Sequence, residues 1–274
     1  APAGVTTGGS NGIATNIVFG DQGYLGRAAV FNGSSSYISL GTSTPLNTFG
    51  GEQTISIWIK PNTSTHQEII GYRNDSTLQW NYLEKMSNNT IRFLLRKSST
   101  PSVVLNTVGT VTLNQWNHIA VTVDSTIAKI YINNGTAETA ANPIPSFSNS
   151  EETKIGDNDT VQGVNYFNGS IDQVRILDTA LTTGQVTELY EEVYCDTGCT
   201  TSTVDYQAPA TALYRLDGDA TDSSSTGGPI DSGQSAAFNG STSEFRLPTS
   251  VGLTFGAGAT YILDPYYLAG YYFG

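Results

Sequence analysis

Basic residues are scarce in this chain: 12 Lys and Arg stand against 24 Asp and Glu in 274 residues, a formal net charge of −12. Binding a phosphate backbone depends on Lys and Arg releasing counterions, so nucleic acid is not an expected partner. Charged residues of both signs make up only 13% of the chain, about half the usual share. Histidine occurs twice, at His66 and His118, too few to complete a zinc site of about four ligands. Neither an H-E-x-x-H nor a G-x-S-x-G motif is present. No apolar run approaches the roughly 18 to 20 residues of a membrane helix. The aromatic C-terminal stretch YILDPYYLAGYYFG is broken by Asp264, Pro265 and Gly270, so membrane insertion is not expected. The chain starts at Ala1 with no initiator Met and no signal peptide, which points to a processed or excised chain. Cysteine occurs only at Cys195 and Cys199, in YCDTGC. That spacing admits a small disulfide loop turned by Thr197-Gly198, with two free thiols in a linker as the alternative.

In place of charge the chain carries Ser, Thr, Asn and Gly, a composition that fits many turns, polar strand faces and an extracellular setting. Apolar and polar residues alternate in TISIWIKP (54–61), with Ile55, Ile57 and Ile59 on one face. IRFLLRK (91–97) follows a turn at Ser87-Asn88-Asn89. In WNHIAVTVD (116–124), Ile119, Val121 and Val123 oppose His118, Ala120 and Thr122. AKIYINNGT (128–136) ends in the Asn-Gly pair that two-residue hairpins prefer. SIDQVRIL (170–177) has Ile171 and Val174-Ile176 bracketing Asp172. Short strands so punctuated predict an all-β, antiparallel two-sheet sandwich. One helix is expected within 178–193, capped by Thr182 or Thr183. Residues 195–210, small and polar with a proline, read as a linker.

The ordered runs GRAAVFNGSSSYISL, TISIWIKP, LNQWNHIAVTVD, AKIYINNG and FNGSIDQVRILDTALT together resemble the laminin G-like, concanavalin A-like jelly roll, over roughly residues 17 to 193. The resemblance implies two stacked, curved antiparallel sheets of about a dozen strands, and a structural His118 beside Trp116.

A turn is written twice. FNGSSSYISL (31–40) returns as FNGSTSEFRL (238–247), and eight of fifteen positions match from Gly26/Gly233 to Leu40/Leu247. ALYRLDGDATDSSSTGG (212–228) looks like the family's opening strand and loop, whereas the first copy lacks a clear counterpart. The organisation read from this is a jelly-roll domain over 1–194, a linker over 195–210 and a partial second repeat over 211–274. A fragment of that size cannot bury both inner faces of a sandwich. Pairing with a neighbouring chain, packing on the first domain, or sequence beyond this chain would each complete it.

Candidate chemistry is sparse. The glucanase-type E-x-D-x-E strand is absent, and the neighbours Glu151-Glu152 and Glu191-Glu192 would face opposite ways on a strand, so no glycosidase pair is expected. Asp157, Asp159 and, by the resemblance, Asp172 are candidate calcium ligands, and Asp217, Asp219 and Asp222 repeat the pattern in the second copy. Such a site needs six to eight oxygens, and the same Asp and Asn residues serve equally to make turns. For a glycan, Tyr72, Trp80, Tyr82 and Tyr166 could offer aromatic platforms with Asn74 nearby, although an alternating Trp80 and Tyr82 equally suit a core. His66 reads as an exposed loop residue. The expected function is a non-enzymatic adhesion or structural protein displayed on an extracellular particle, such as a phage tail-fibre or capsid-surface protein, with homo-oligomer, other structural chains or surface glycan as partners. The alternative is a carbohydrate-binding module of a secreted bacterial adhesin or glycoside hydrolase.

Overall fold

Alternating residues build strands wherever the sequence pattern called for them, and the computed structural model shows how they stack. It describes residues 11–98, 102–157, 165–192, 212–214 and 216. Asp159, the Cys195–Cys199 pair, the linker and most of the second repeat lie outside the described residues. The chain divides into two units, Ala1–Ser235 and Ala236–Gly274, and every described residue belongs to the first.

In chain order come β1 (Ile13–Thr15), β2 (Val18–Gln22), β3 (Arg27–Asn32), β4 (Tyr37–Gly41) and β5 (Thr48–Phe49). Next are β6 (Gln53–Pro61), β7 (Gln67–Asn74), β8 (Gln79–Lys85), β9 (Ile91–Lys97) and β10 (Val103–Asn106). Then follow β11 (Asn117–Val123), β12 (Ile127–Ile132), β13 (Glu138–Ala141), β14 (Phe147–Ser148), β15 (Thr153–Ile155) and β16 (Asn168–Leu177). Helix α1 (Thr183–Tyr190) and strand β17 (Ala212–Tyr214) complete the series. One sheet has the order β1-β4-β15-β7-β8-β9-β10, and the other β13-β12-β11-β6-β16-β3-β2 with β17 beside β16. All pairings are antiparallel, so the expected two-sheet sandwich is what the chain forms.

The core lies between the sheets. Ile55, Ile57 and Ile59 of β6 and Ile119, Val121 and Val123 of β11 meet Ile70, Tyr72, Leu83, Phe93, Leu95 and Ile155 from the facing sheet. In β16 the alternation slips by one residue, because a bulge falls between Asp172 and Arg175 and Gln173 adopts φ 47°. The extra residue lets Ile171, Val174 and Ile176 all face the core. At the β12–β13 hairpin the left-handed residues are Asn133 and Asn134, one position ahead of the Asn134-Gly135 pair expected from the sequence. Asparagine tolerates this conformation, which lets the turn shift.

The back of the β6-containing sheet is covered. Helix α1 sets Val186 and Leu189, with Leu181 just ahead of its cap, against Ala120, Tyr131 and Leu177, and its capping box is built by Thr182 and Gln185. Beside it, Trp58 stacks on Tyr24 with ring centroids 3.3 Å apart, and Tyr190 lies 5.7 Å away on the same indole. His118 is fully buried here, its Nε2 2.8 Å from Ser56 Oγ, and Arg175 pairs with Glu192 at 2.7 Å. Among the described residues no helix is long and apolar enough to cross a membrane.

Candidate functional site

The outward face of the other sheet, on which α1 does not pack, also carries rings and charges. Strand alternation sends Trp80, Tyr82 and Glu84 of β8 to the side away from the core, while Asn81, Leu83 and Lys85 point inward. Cross-strand register sets the neighbours. Trp80 stands between Arg73 of β7 and Arg96 of β9; Tyr82 lies between Gly71 and Leu94; Glu84 lies between Glu68 and Arg92.

Trp80 is the hub of the first row. The guanidinium carbons of Arg96 and Arg73 lie 4.5 and 5.0 Å from its ring centroid, a cation–π arrangement supplied by the strand on each side. Arg73 is oriented in turn by Asp75, Nε to Oδ1 2.8 Å. Tyr82, in the next row, is only 5% exposed although it points away from the core, so the surrounding side chains cover it. Burial pushes its hydroxyl up to about 12; the Glu84 charge adds to the effect and Arg92 opposes it. Burial also pushes the Glu84 carboxyl up, but hydrogen bonds from His66 and Arg92, with the Arg92 charge, outweigh it and hold the group below its ordinary value. His66 Nε2 is 2.5 Å from Glu84 Oε2. His66 is thus a half-buried partner of the face rather than the exposed loop residue expected, because the chain entering β7 folds back onto β8.

Across Gly71 the face continues to Lys154 of β15, whose register partner is Gly71 itself. Gly71 has φ 141°, and a Cβ built there would lie 2.3 Å from the Asn81 carbonyl oxygen and 2.5 Å from Tyr82 Cα. Only glycine fits, so β7 places no side chain between Lys154 and Tyr82. Lys154 Nζ sits 3.2 Å from Asp157 Oδ2 and 5.0 Å from the centroid of Tyr37. Burial pulls this ammonium down, but the Asp157 and Glu152 carboxylates outweigh it and raise its pKa. Tyr166 joins the same group: burial raises its hydroxyl first, then the charges of Asp157, Tyr37 and Glu68, while Lys154 opposes them. Its segment is anchored where the Glu68 amide donates to the Asn165 carbonyl at 2.8 Å.

Among the residues singled out from the sequence, Trp80, Tyr82, Tyr166 and Asp157 converge on this face. Tyr72 does not; it is wholly buried in the core, where its ring is out of reach of any ligand and burial raises its hydroxyl. Asn74 makes a turn, its Oδ1 accepting from the Thr77 amide at 2.9 Å and its amide donating to Glu151. Asp172 lies in the opposite sheet, fully buried, and accepts from the amides of Leu25 (2.9 Å) and Gln173 (2.7 Å). Asp157, just after β15, and Asp172, within β16, therefore have different partners. Among the described residues no group of three or more His, Cys, Asp or Glu side chains comes together as a metal site. Arg73, Arg92, Arg96, Lys154, Tyr37 and Glu68 were not singled out from the sequence. The signal was present as the i, i+2 series Trp80-Tyr82-Glu84 and Arg92-Leu94-Arg96, which puts each set on one strand face.

The arrangement provides the partly exposed rings of Trp80, Tyr37 and Tyr166 framed by donors and acceptors of both signs, a chemistry suited to a polar ligand with an apolar face. Comparison with known proteins agrees with the fold. The family model described as "Concanavalin A-like lectin/glucanases superfamily" matches residues 32–187. No curated protein matches the chain. A solved structure of domain 4 of AbnA, a GH43 extracellular arabinanase from Geobacillus stearothermophilus, in complex with arabinotriose, is 28% identical; the match covers 65% of this chain and 82% of that one, TM-score 0.53. The binding domain of botulinum neurotoxin serotype G is 17% identical over 68% of this chain and 46% of its own, TM-score 0.53. The receptor binding domain of the C/D mosaic serotype is 15% identical over 68% and 47%, TM-score 0.51. These two share the fold.

Proposed function

This chain belongs to the concanavalin A-like lectin/glucanases superfamily, and we propose that it serves there as a non-catalytic carbohydrate-binding module of an extracellular protein. The observation that carries the reading is the placement of Trp80 and Tyr82 on the outward sheet face, with Arg73, Arg96, Glu84 and Lys154 around them. An oligosaccharide lies along this face, contacting Trp80 and bonding to the flanking charges. The 28% identity to an arabinanase domain solved with arabinotriose supports a neutral oligosaccharide as ligand. Calcium belongs to the reading only through the Asp157 loop, since Asp172 is engaged by backbone amides. The direct test is calorimetric titration of the purified chain with a panel of oligosaccharides, arabino-oligosaccharides included, with calcium and with a chelator. Saturable binding that Trp80→Ala weakens about tenfold or more is expected, since aromatic anchors dominate such contacts. Binding indifferent to Trp80→Ala, or release of reducing sugar on incubation, would overturn the reading.

A second reading keeps the fold and changes its setting: a structural protein displayed on a virion, with copies of itself or other structural chains as partners. The recurrence of FNGSSSYISL as FNGSTSEFRL favours it, since duplicated modules suit repeated contacts. Light scattering decides here: a defined oligomer lost when residues 204–274 are removed supports assembly, and a monomer indifferent to that deletion ends it.

A further inference from the structure

Strand β16 is ten residues long, yet β3 pairs with it only from Asn168 to Ile171. Beyond the bulge, the same edge is occupied by β17: Val174 pairs with Tyr214, Arg175 with Leu213 and Ile176 with Ala212. Two residues further on, Leu216 is 1% exposed and belongs to the core between the sheets. These residues open the second repeat in sequence. At the repeat's own offset of 207 positions, the first copy carries Val5-Thr6-Thr7-Gly8-Gly9 where the second carries Ala212-Leu213-Tyr214-Arg215-Leu216. VTTGG has no leucine to seat in a core, and its glycines disfavour a strand. Between these two stretches of the chain, the one that fits the slot is the one from the repeat downstream.

We propose that Ala212–Tyr214 is a lent strand: with Leu216 as its core anchor, the opening strand of the second repeat closes the first sandwich of the same chain by docking along Val174–Ile176 of β16. Both parts of strand addition are present. Main-chain pairing extends an otherwise open edge, and an apolar side chain fills the core behind it. The two repeats are then joined through a shared strand rather than a free linker. Nineteen residues, 193 to 211, separate the end of the described sandwich from the strand, and an extended chain of that length spans on the order of 60 Å. The tether therefore also permits a neighbouring copy to receive the strand, so the experiment has to separate the two donors.

The experiment uses the full chain, the variant Leu216→Asp, and a variant whose residues 212–216 are replaced by VTTGG. In the parent protein, hydrogen exchange of the 212–214 amides should be slowed to the level of β16, at every protein concentration tested. Both variants should lower the main unfolding midpoint by roughly 5 to 10 °C, as expected for losing a buried leucine and an edge strand. They should also speed exchange of the Val174–Ile176 amides that face β17 at least tenfold, leaving Ile57 and Val121 protected. The free peptide ALYRLDG in excess should restore protection to the replaced variant, and the same peptide carrying aspartate at the Leu216 position should not. Unprotected 212–214 amides in the parent protein would overturn the proposal without recourse to any variant. Protection that disappears on dilution, together with a dimer, would overturn same-chain closure and assign the strand to a second copy.

Discussion

The guanidinium of Arg96 lies over the indole of Trp80, its carbon 4.5 Å from the ring centroid, and this contact joins two neighbouring strands on the outward face of the β8-containing sheet. On a proposed sugar platform such an arginine both stiffens the ring and offers donors to hydroxyls. Arg96→Ala is expected to weaken oligosaccharide binding about three- to tenfold, with less than about 1 kcal/mol lost in stability, because the side chain is partly exposed and has no core role. Calorimetric titration alongside chemical denaturation separates the two effects.

His118 makes a pH prediction. Burial, with Arg175 nearby, pushes its imidazole down to about 3, against an ordinary value near 6.5. Its folded pKa is depressed, so the unfolded chain takes up the proton first. Stability contributed by the neutral ring is present above about pH 6.5 and drains away as pH falls toward 3, by an amount on the order of several kcal/mol. Denaturation midpoints between pH 7 and pH 4 should fall more steeply in the parent protein than in His118→Gln.

Tyr82 predicts the alkaline limb. Its hydroxyl is pushed up to about 12, so the unfolded chain loses the proton first. Its contribution is intact below about pH 10 and declines as pH rises toward 12. Tyr82→Phe should flatten that decline, and spectrophotometric titration of tyrosinate should lose one late-ionising group.

Asp172 distinguishes a turn from an ion site. Its carboxylate accepts from the Leu25 and Gln173 amides, and removing an acceptor buried with its donors costs roughly 1 to 3 kcal/mol. Asp172→Ala should destabilise the fold by about that amount with or without calcium. A loss seen only in calcium would instead give Asp172 to an ion.

Much of the fold was legible because strand alternation is local. The run 54–61 declared its inward face through Ile55, Ile57 and Ile59, and the helix after Asp178 offered Thr182 or Thr183 as its cap, of which Thr182 serves. The bulge at Gln173 was not legible: SIDQVRIL shows apolar residues on both parities, and only the demand that Ile171 and Val174 face one core decides which residue is extra. Legibility was poorest for the candidate site. Tyr72, Trp80 and Tyr82 are equivalent as aromatic strand residues, yet Tyr72 enters the core while Trp80 and Tyr82 leave it, because inward and outward are properties of the partner sheet. Arg73 and Arg96 lie 23 positions apart and meet over one ring only through the register of β7, β8 and β9.

What the sequence by itself determined, then, is the sandwich, its family and its acidic, charge-poor surface, since patterning, turn residues and composition are written residue by residue. Tertiary structure alone decided which sheet face is closed by α1 and which is open. It decided that His66 serves Glu84, that Asp157 and Asp172 stand apart, and that β17 lies against β16. Each of these depends on contacts between segments distant in the chain, whose free energy exists only once two sheets have formed and met.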